Sequence, residues 1–180
     1  HLKLRTAFKL RDVELRCLNF TFDESPEGRF AELIMSGSSE LERLQNRRQV
    51  VQKQKARLEL GYWAFGSKKG YTMTRSPEHG TISISNQEGE ILKEVLEGFA
   101  NGMFVHKVDA CKFLLEKGFW KKQSPEKYID KFTNILRDSF YAGFIEYPVW
   151  EVTRRMGKHK GIISLETFEF NQKRLGNLDL

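Results

Sequence analysis

Cysteine and proline are scarce in this chain, with two of the first and four of the second in 180 residues. Cys17 and Cys111 cannot build a disulfide framework, and neither stands at a metal-ligand spacing, so both read as buried thiols in a reducing compartment. No run approaches the ~18 apolar residues that a membrane-spanning helix needs. No charged-then-apolar leader opens the sequence, so no secretory signal is expected. The phosphate loop, GxGxxG and HExxH patterns are all missing. His79, His106 and His159 lie far apart in sequence and read as ordinary turn or surface histidines rather than a metal site. Ser36, Ser38 and Ser39 fall in a helical stretch with no evident base and read as small packing residues, with Glu40 and Glu42 as helix-face carboxylates. These residues alone do not make an enzyme, and they call for no cofactor or metal. The sequence starts at His1 and its first residues already read as the interior of a domain, so a fragment is expected.

What is present is enough for a folded protein. Hydrophobic residues make up 39%, with 14 Phe, which excludes a disordered chain despite 30% charged residues. The length suits one large domain or two small ones. The net charge of +6 is concentrated. Between Arg43 and Arg75 stand nine cations (Arg43, Arg47, Arg48, Lys53, Lys55, Arg57, Lys68, Lys69 and Arg75) against Glu59 alone. Such a local field points to a polyanion, because each neutralised phosphate releases counterions. A solvated helix face is the plainer reading, but acidic partners are nearly missing after Glu42. The run also ends in the aromatic and glycine-rich stretch Gly61-Tyr62-Trp63-Ala64-Phe65-Gly66. Nucleic acid is favoured.

His1 to about Leu10 reads as the end of a helix, and the alternation in Val13–Phe20 as a strand. Ser25-Pro26-Glu27 is a helix start, and the helix it opens runs to about Leu60, roughly 50 Å at ~1.5 Å per residue. Phe30, Gly37, Leu44, Val51 and Leu58 recur every seven residues along it, with Leu33, Ile34 and Leu41 alongside. This narrow stripe needs a partner in its first half, while beyond Arg47 the other faces are polar or basic. Gly61–Gly70 reads as a linker. A hairpin follows over Tyr71–Thr74 and Thr81–Ser85, turning at Pro77–Gly80. Three helices come next: Gln87 to Ala100, Val105 to Lys117, and one starting at Ser124-Pro125-Glu126. The last two are joined by the short turn Gly118–Gln123, consistent with a helix-turn-helix, although any three-helix bundle has this periodicity. Phe144–Tyr147 and Val149–Val152 read as β structure, and Ser164 to about Leu175 as a final helix.

Several segments resemble the large serine recombinases of the resolvase/integrase family. In the first half they are Glu24-Ser25-Pro26-Glu27-Gly28-Arg29-Phe30, Ser39-Glu40-Leu41-Glu42-Arg43, Gly61-Tyr62-Trp63 and Gly70-Tyr71. In the second half Glu90-Ile91-Leu92 to Asn101-Gly102, Phe113–Phe119, Asn134–Ile145 and His159–Phe168 are similar to that family's recombinase domain, in the same order. The proline usual before the Gly-Tyr pair is replaced by Ser67-Lys68-Lys69. The resemblance implies a mainly α fold with small β elements. Residues 1–60 would be the α/β remnant of a catalytic domain with one long connecting helix, 61–70 a linker, and 71–180 a helix-turn-helix-like recombinase domain. It also implies a parent protein of a bacterial mobile element that exchanges DNA strands through a phosphoserine linkage in the cytoplasm. The nucleophilic serine would lie upstream of His1, leaving this fragment inactive alone. Zinc is implied only for a cysteine-rich ribbon beyond Leu180.

Within that frame the partner is double-stranded DNA, with dimers or tetramers formed in the parent through Leu33, Ile34, Leu41 and Leu44. Arg47, Arg48, Lys53, Lys55 and Arg57 would run over the backbone near the crossover. The linker would follow the minor groove, with Lys68 and Lys69 on phosphates. Gln123, Ser124, Lys127, Tyr128 and Lys131 would face the major groove, preceded by Lys121 and Lys122. Tyr128 is equally suited to core packing, and Trp120 and Trp150 read as core. Two readings compete with duplex docking: a protein-interaction module built on the long helix, and single-strand binding through Tyr62 and Trp63.

Overall fold

The computed structural model describes Ala7, Phe8, Leu10, Arg11 and Val13 together with residues 25–121 and 123–178. The strand expected at Val13–Phe20, Cys17 and Lys122 therefore fall outside the described residues, Val13 excepted. The chain divides into two compact units, His1–Gln52 and Lys53–Leu180.

Helix α1 covers Pro26–Glu59 without interruption. Its start follows the expected chemistry: the Ser25 hydroxyl accepts from the Gly28 N–H at 2.9 Å, and Glu27 sits in the first turn. Within the first unit the stripe on α1 is open. Leu33 is 57% exposed, Ile34 51%, Leu41 56% and Leu44 49%. Arg43 donates to both carboxylate oxygens of Glu40, from Nε at 2.9 Å and from Nη2 at 2.6 Å.

In the second unit the hairpin pairs β1 (Tyr71–Ser76) with β2 (Gly80–Ser85), Tyr71 opposite Ser85. Asn86 then caps α2 (Gln87–Ala100) by accepting from the Gly89 N–H at 3.1 Å, while its amide donates to Thr72 at 3.1 Å. Helix α3 spans Lys107–Glu116, starting two residues later than the apolar pattern suggested, with Asp109 accepting from the His106 N–H. The third helix departs from expectation at its start. Ser124 spends its hydroxyl on the Glu126 carboxylate and caps no backbone N–H, so Pro125–Tyr128 winds as a 3-10 turn before α4 (Ile129–Arg137).

Asp138 caps the next short turn, Ser139–Ala142, by accepting from Phe140 N–H at 3.1 Å. Strands β3 (Phe144–Tyr147) and β4 (Val152–Met156) form a second antiparallel pair. Val149 and Trp150, expected in a strand, lie in a 3-10 turn opened by Pro148, because proline fixes φ and donates no ladder bond. Helix α5 (Leu165–Leu178) closes the unit after Ser164, which accepts from the Thr167 N–H at 3.1 Å.

One core holds these elements together. Leu92, Val95, Leu96 and Phe99 of α2 meet Cys111 and Leu114 of α3, Phe132 and Leu136 of α4, and Phe168 and Leu175 of α5. Each fully buried side chain of this size contributes roughly 1.5–3 kcal/mol. Burial pushes the Cys111 thiol up to about 12, as befits an inert packing group. Helix α5 also serves the helix ends around it. Arg174 donates to the carbonyls of Phe99, in the last turn of α2, at 2.5 Å and of Phe104, just beyond that helix, at 2.7 Å. Gln172 donates to Leu136 at 2.6 Å near the end of α4, and the buried Asn171 donates to Leu96 at 3.1 Å.

Candidate nucleic-acid interface

The start of the third helix carries an open group of polar and basic side chains expected from the sequence. Lys121, Gln123, Ser124, Lys127 and Lys131 are all exposed. Lys121, Lys127 and Lys131 form no ion pair among the described residues, although Glu126 and Asp130 are exposed nearby. The Ser124 hydroxyl holds the Glu126 carboxyl below its ordinary range.

Tyr128 corrects the groove-facing expectation. Its ring is buried and stacks on Trp120, centroids 4.4 Å apart and planes 10° from parallel. Its hydroxyl donates to the Lys121 carbonyl at 2.9 Å. Tyr128 therefore fixes the backbone from which Lys121 projects and supports Lys131, whose ammonium lies 5.2 Å from the ring centre. Trp120 packs against the core as expected.

The segment 61–70 is irregular but closely packed. Trp63 donates from Nε1 to Gly66 at 2.8 Å and meets the Phe140 ring edge-on at 5.4 Å. Phe65 lies against Tyr147 and Trp150 at 4.9 and 5.4 Å. Lys68, expected on a phosphate, is committed elsewhere: it pairs with Asp138 and sits 4.3 Å from the Trp63 ring centre. Lys69 is exposed, with Glu88 at 3.5 Å.

Along α1, Arg47, Arg48 and Lys53 are exposed and Lys55 is half-buried. Arg57 is also committed: it donates to the Thr81 carbonyl at 2.8 Å and covers the Tyr62 ring at 5.4 Å. Tyr62 in turn shares a 3.0 Å hydrogen bond with His79 Nδ1. Among the described residues no cluster of three or more His, Cys, Asp or Glu could hold a metal ion, and no helix is long and apolar enough to cross a membrane.

Sequence reasoning passed over two features. His159, expected as a turn or surface histidine, is buried and stacked on Phe140, and Gly157, whose Cβ would stand 2.5 Å from the imidazole, leaves room for the ring. The run Arg154–Lys160 carries Arg154, Arg155, Lys158 and Lys160 with no acid. That density was a visible signal.

The family model described as Recombinase matches residues 86–177. The chain is similar in fold to the crystal structure of an LSR–DNA complex, at TM-score 0.57 and 21% identity, covering 73% of this chain and 38% of that one. It is also similar to a structure on the sequence requirements of the Listeria innocua prophage attP site, at TM-score 0.55 and 23% identity, covering 71% of this chain and 51% of that one. The chain thus spans about half or less of the solved chains that it matches. No curated protein matches it.

Proposed function

The chain belongs to the Recombinase family, and we propose that it is a duplex-DNA-docking part of a site-specific serine recombinase from a bacterial mobile element. The observation that carries this reading is the exposed, unpaired set Lys121, Lys127 and Lys131 with Gln123 at the start of the third helix. In a helix-turn-helix arrangement that end of the second helix enters the major groove, where Gln123 reads base edges and the lysines meet phosphates.

The segment 61–70 follows the minor groove, with Lys69 on its flank. Arg47, Arg48 and Lys53 track the backbone toward the crossover. Leu33, Ile34, Leu41 and Leu44 form the contact with a second subunit in the dimers or tetramers of the parent. Strand exchange through a phosphoserine linkage is the activity of that parent in the cytoplasm. The packing of Trp63 and the hydrogen bond of Tyr62 favour duplex over single-strand binding, since both rings are engaged.

Fluorescence anisotropy with a short duplex across a salt series tests this. Each phosphate contact contributes about 0.9 to the slope of log K against log salt, so Lys127→Ala with Lys131→Ala lowers the slope by about 2. A flat salt response of the unmodified chain would sink the reading.

A further inference from the structure

Both ends of the segment 61–70 are tied to one tripeptide nearly a hundred residues away. The Lys158 N–H donates to the Gly61 carbonyl at 2.7 Å. The hydroxyl of Tyr71, the first residue after the segment, donates to the Lys160 carbonyl at 2.9 Å. Between these attachments His159 turns inward, stacked on Phe140. Lys158 and His159 form a bend beyond the end of β4, and the lysines on either side of the inward imidazole, Lys158 and Lys160, are both exposed.

The backbone here has little freedom. The Gly157 N–H donates to the Gly143 carbonyl at 2.8 Å. A Cβ on Gly157 would stand 2.5 Å from the His159 ring, and one on Gly161 would stand 2.6 Å from the Ala142 backbone. The two arginines of the same run are occupied. Arg155 donates to the Glu59 carbonyl at 2.8 Å, and Arg154 lies over the rings of Phe144 and Phe168 at 5.4 and 5.2 Å. Lys158 and Lys160 form no ion pair among the described residues.

We propose that Lys158 and Lys160 are a phosphate-binding prong that holds the DNA backbone beside the segment 61–70. Two unpaired ammonium groups on a rigid loop suit phosphate oxygens, which accept from freely rotating donors. They carry no base-reading geometry, so the prong adds affinity without sequence preference and sets how deeply the neighbouring segment sits. This rests on the duplex-docking reading above.

The test uses the full 180-residue chain, a mixed-sequence duplex and anisotropy across a salt series. Lys158→Gln with Lys160→Gln is compared with Lys93→Gln plus Lys173→Gln, which makes the same charge change on α2 and α5. The prong variant is expected to bind every duplex more weakly and to lose about 2 from the salt slope. It should unfold at the same temperature as the unmodified chain. The control pair should keep most of the slope. Equal slopes for prong and control variants would overturn the prong while leaving duplex docking intact. A flat response of the unmodified chain would remove duplex docking and the prong with it. Loss of binding to an acidic protein surface with DNA binding unchanged would assign the prong to another partner and overturn it too.

Discussion

The imidazole of His159 lies parallel to the ring of Phe140, with centroids 3.7 Å apart and planes 10° from each other. Its Nε2 is 2.7 Å from the Phe140 carbonyl oxygen, and a carbonyl only accepts, so Nε2 carries the proton and Nδ1 is bare. Nδ1 is buried and has no hydrogen-bond partner. Burial is the main cause that holds the imidazole pKa below its ordinary 6.5, and nearby Lys68 adds to it, against the opposing pull of the Phe140 carbonyl and Asp138.

The pH dependence follows from that sign. The unfolded chain takes up a proton at His159 near its ordinary value, whereas the folded chain resists. The stabilisation is therefore complete above that value and erodes as pH falls toward the lower folded one. Denaturant midpoints should drop as pH falls through the ordinary histidine value of 6.5 and below, and His159→Phe should flatten this step while lowering stability overall. An unchanged step in the variant would assign it to another group.

Two glycines should respond in opposite directions to alanine. Gly61 has φ +82° and its Cβ would meet the Met156 carbonyl at 2.7 Å. Gly61→Ala should cost about 1–3 kcal/mol in chemical unfolding. Gly37 lies inside α1 with nothing within 4 Å of its Cβ position. Gly37→Ala should raise helix stability by about 0.5–1 kcal/mol, read from the thermal melt followed at helical wavelengths.

Arg174 joins α5 to the last turn of α2 and to the chain beyond it through the carbonyls of Phe99 and Phe104, and also rests 4.8 Å from the Phe99 ring centre. Arg174→Met should destabilise the second unit by about 2 kcal/mol, the scale for hydrogen bonds to a charged group. Arg174→Lys should recover less than half, since an ammonium cannot span two carbonyls as the planar fork does. Equal stability of all three proteins in urea would remove Arg174 from this role.

Most helices and the first hairpin were legible in the chain because their causes are local, whereas the strand expected at Val149–Val152 lies instead at Val152–Met156. Asn86 and the apolar spacing of Leu92, Val95, Leu96 and Phe99 mark α2 to within its true ends, and Ser25-Pro26-Glu27 marks the start of α1. The order of motifs from Glu90 to Phe168 was enough for the family, which the Recombinase match confirms. Competing side-chain bonds were not legible: Ser124 looked like a cap but spends its hydroxyl on Glu126.

Which cations are open and which are spent depended on distant partners. Lys68 and Lys127 are alike in sequence, yet Lys68 is held by Asp138, 70 positions away, while Lys127 faces solvent. Tyr128 looked equally suited to groove and core until Trp120 stacked on it. His159 is turned inward by contacts with Phe140, and Arg155 is drawn to Glu59, 96 residues before it. Periodicity and capping act over a few residues, and so they settle helices and turns. Side-chain pairing acts through space, where chain closure brings remote residues together, and so it alone settles which charges remain open.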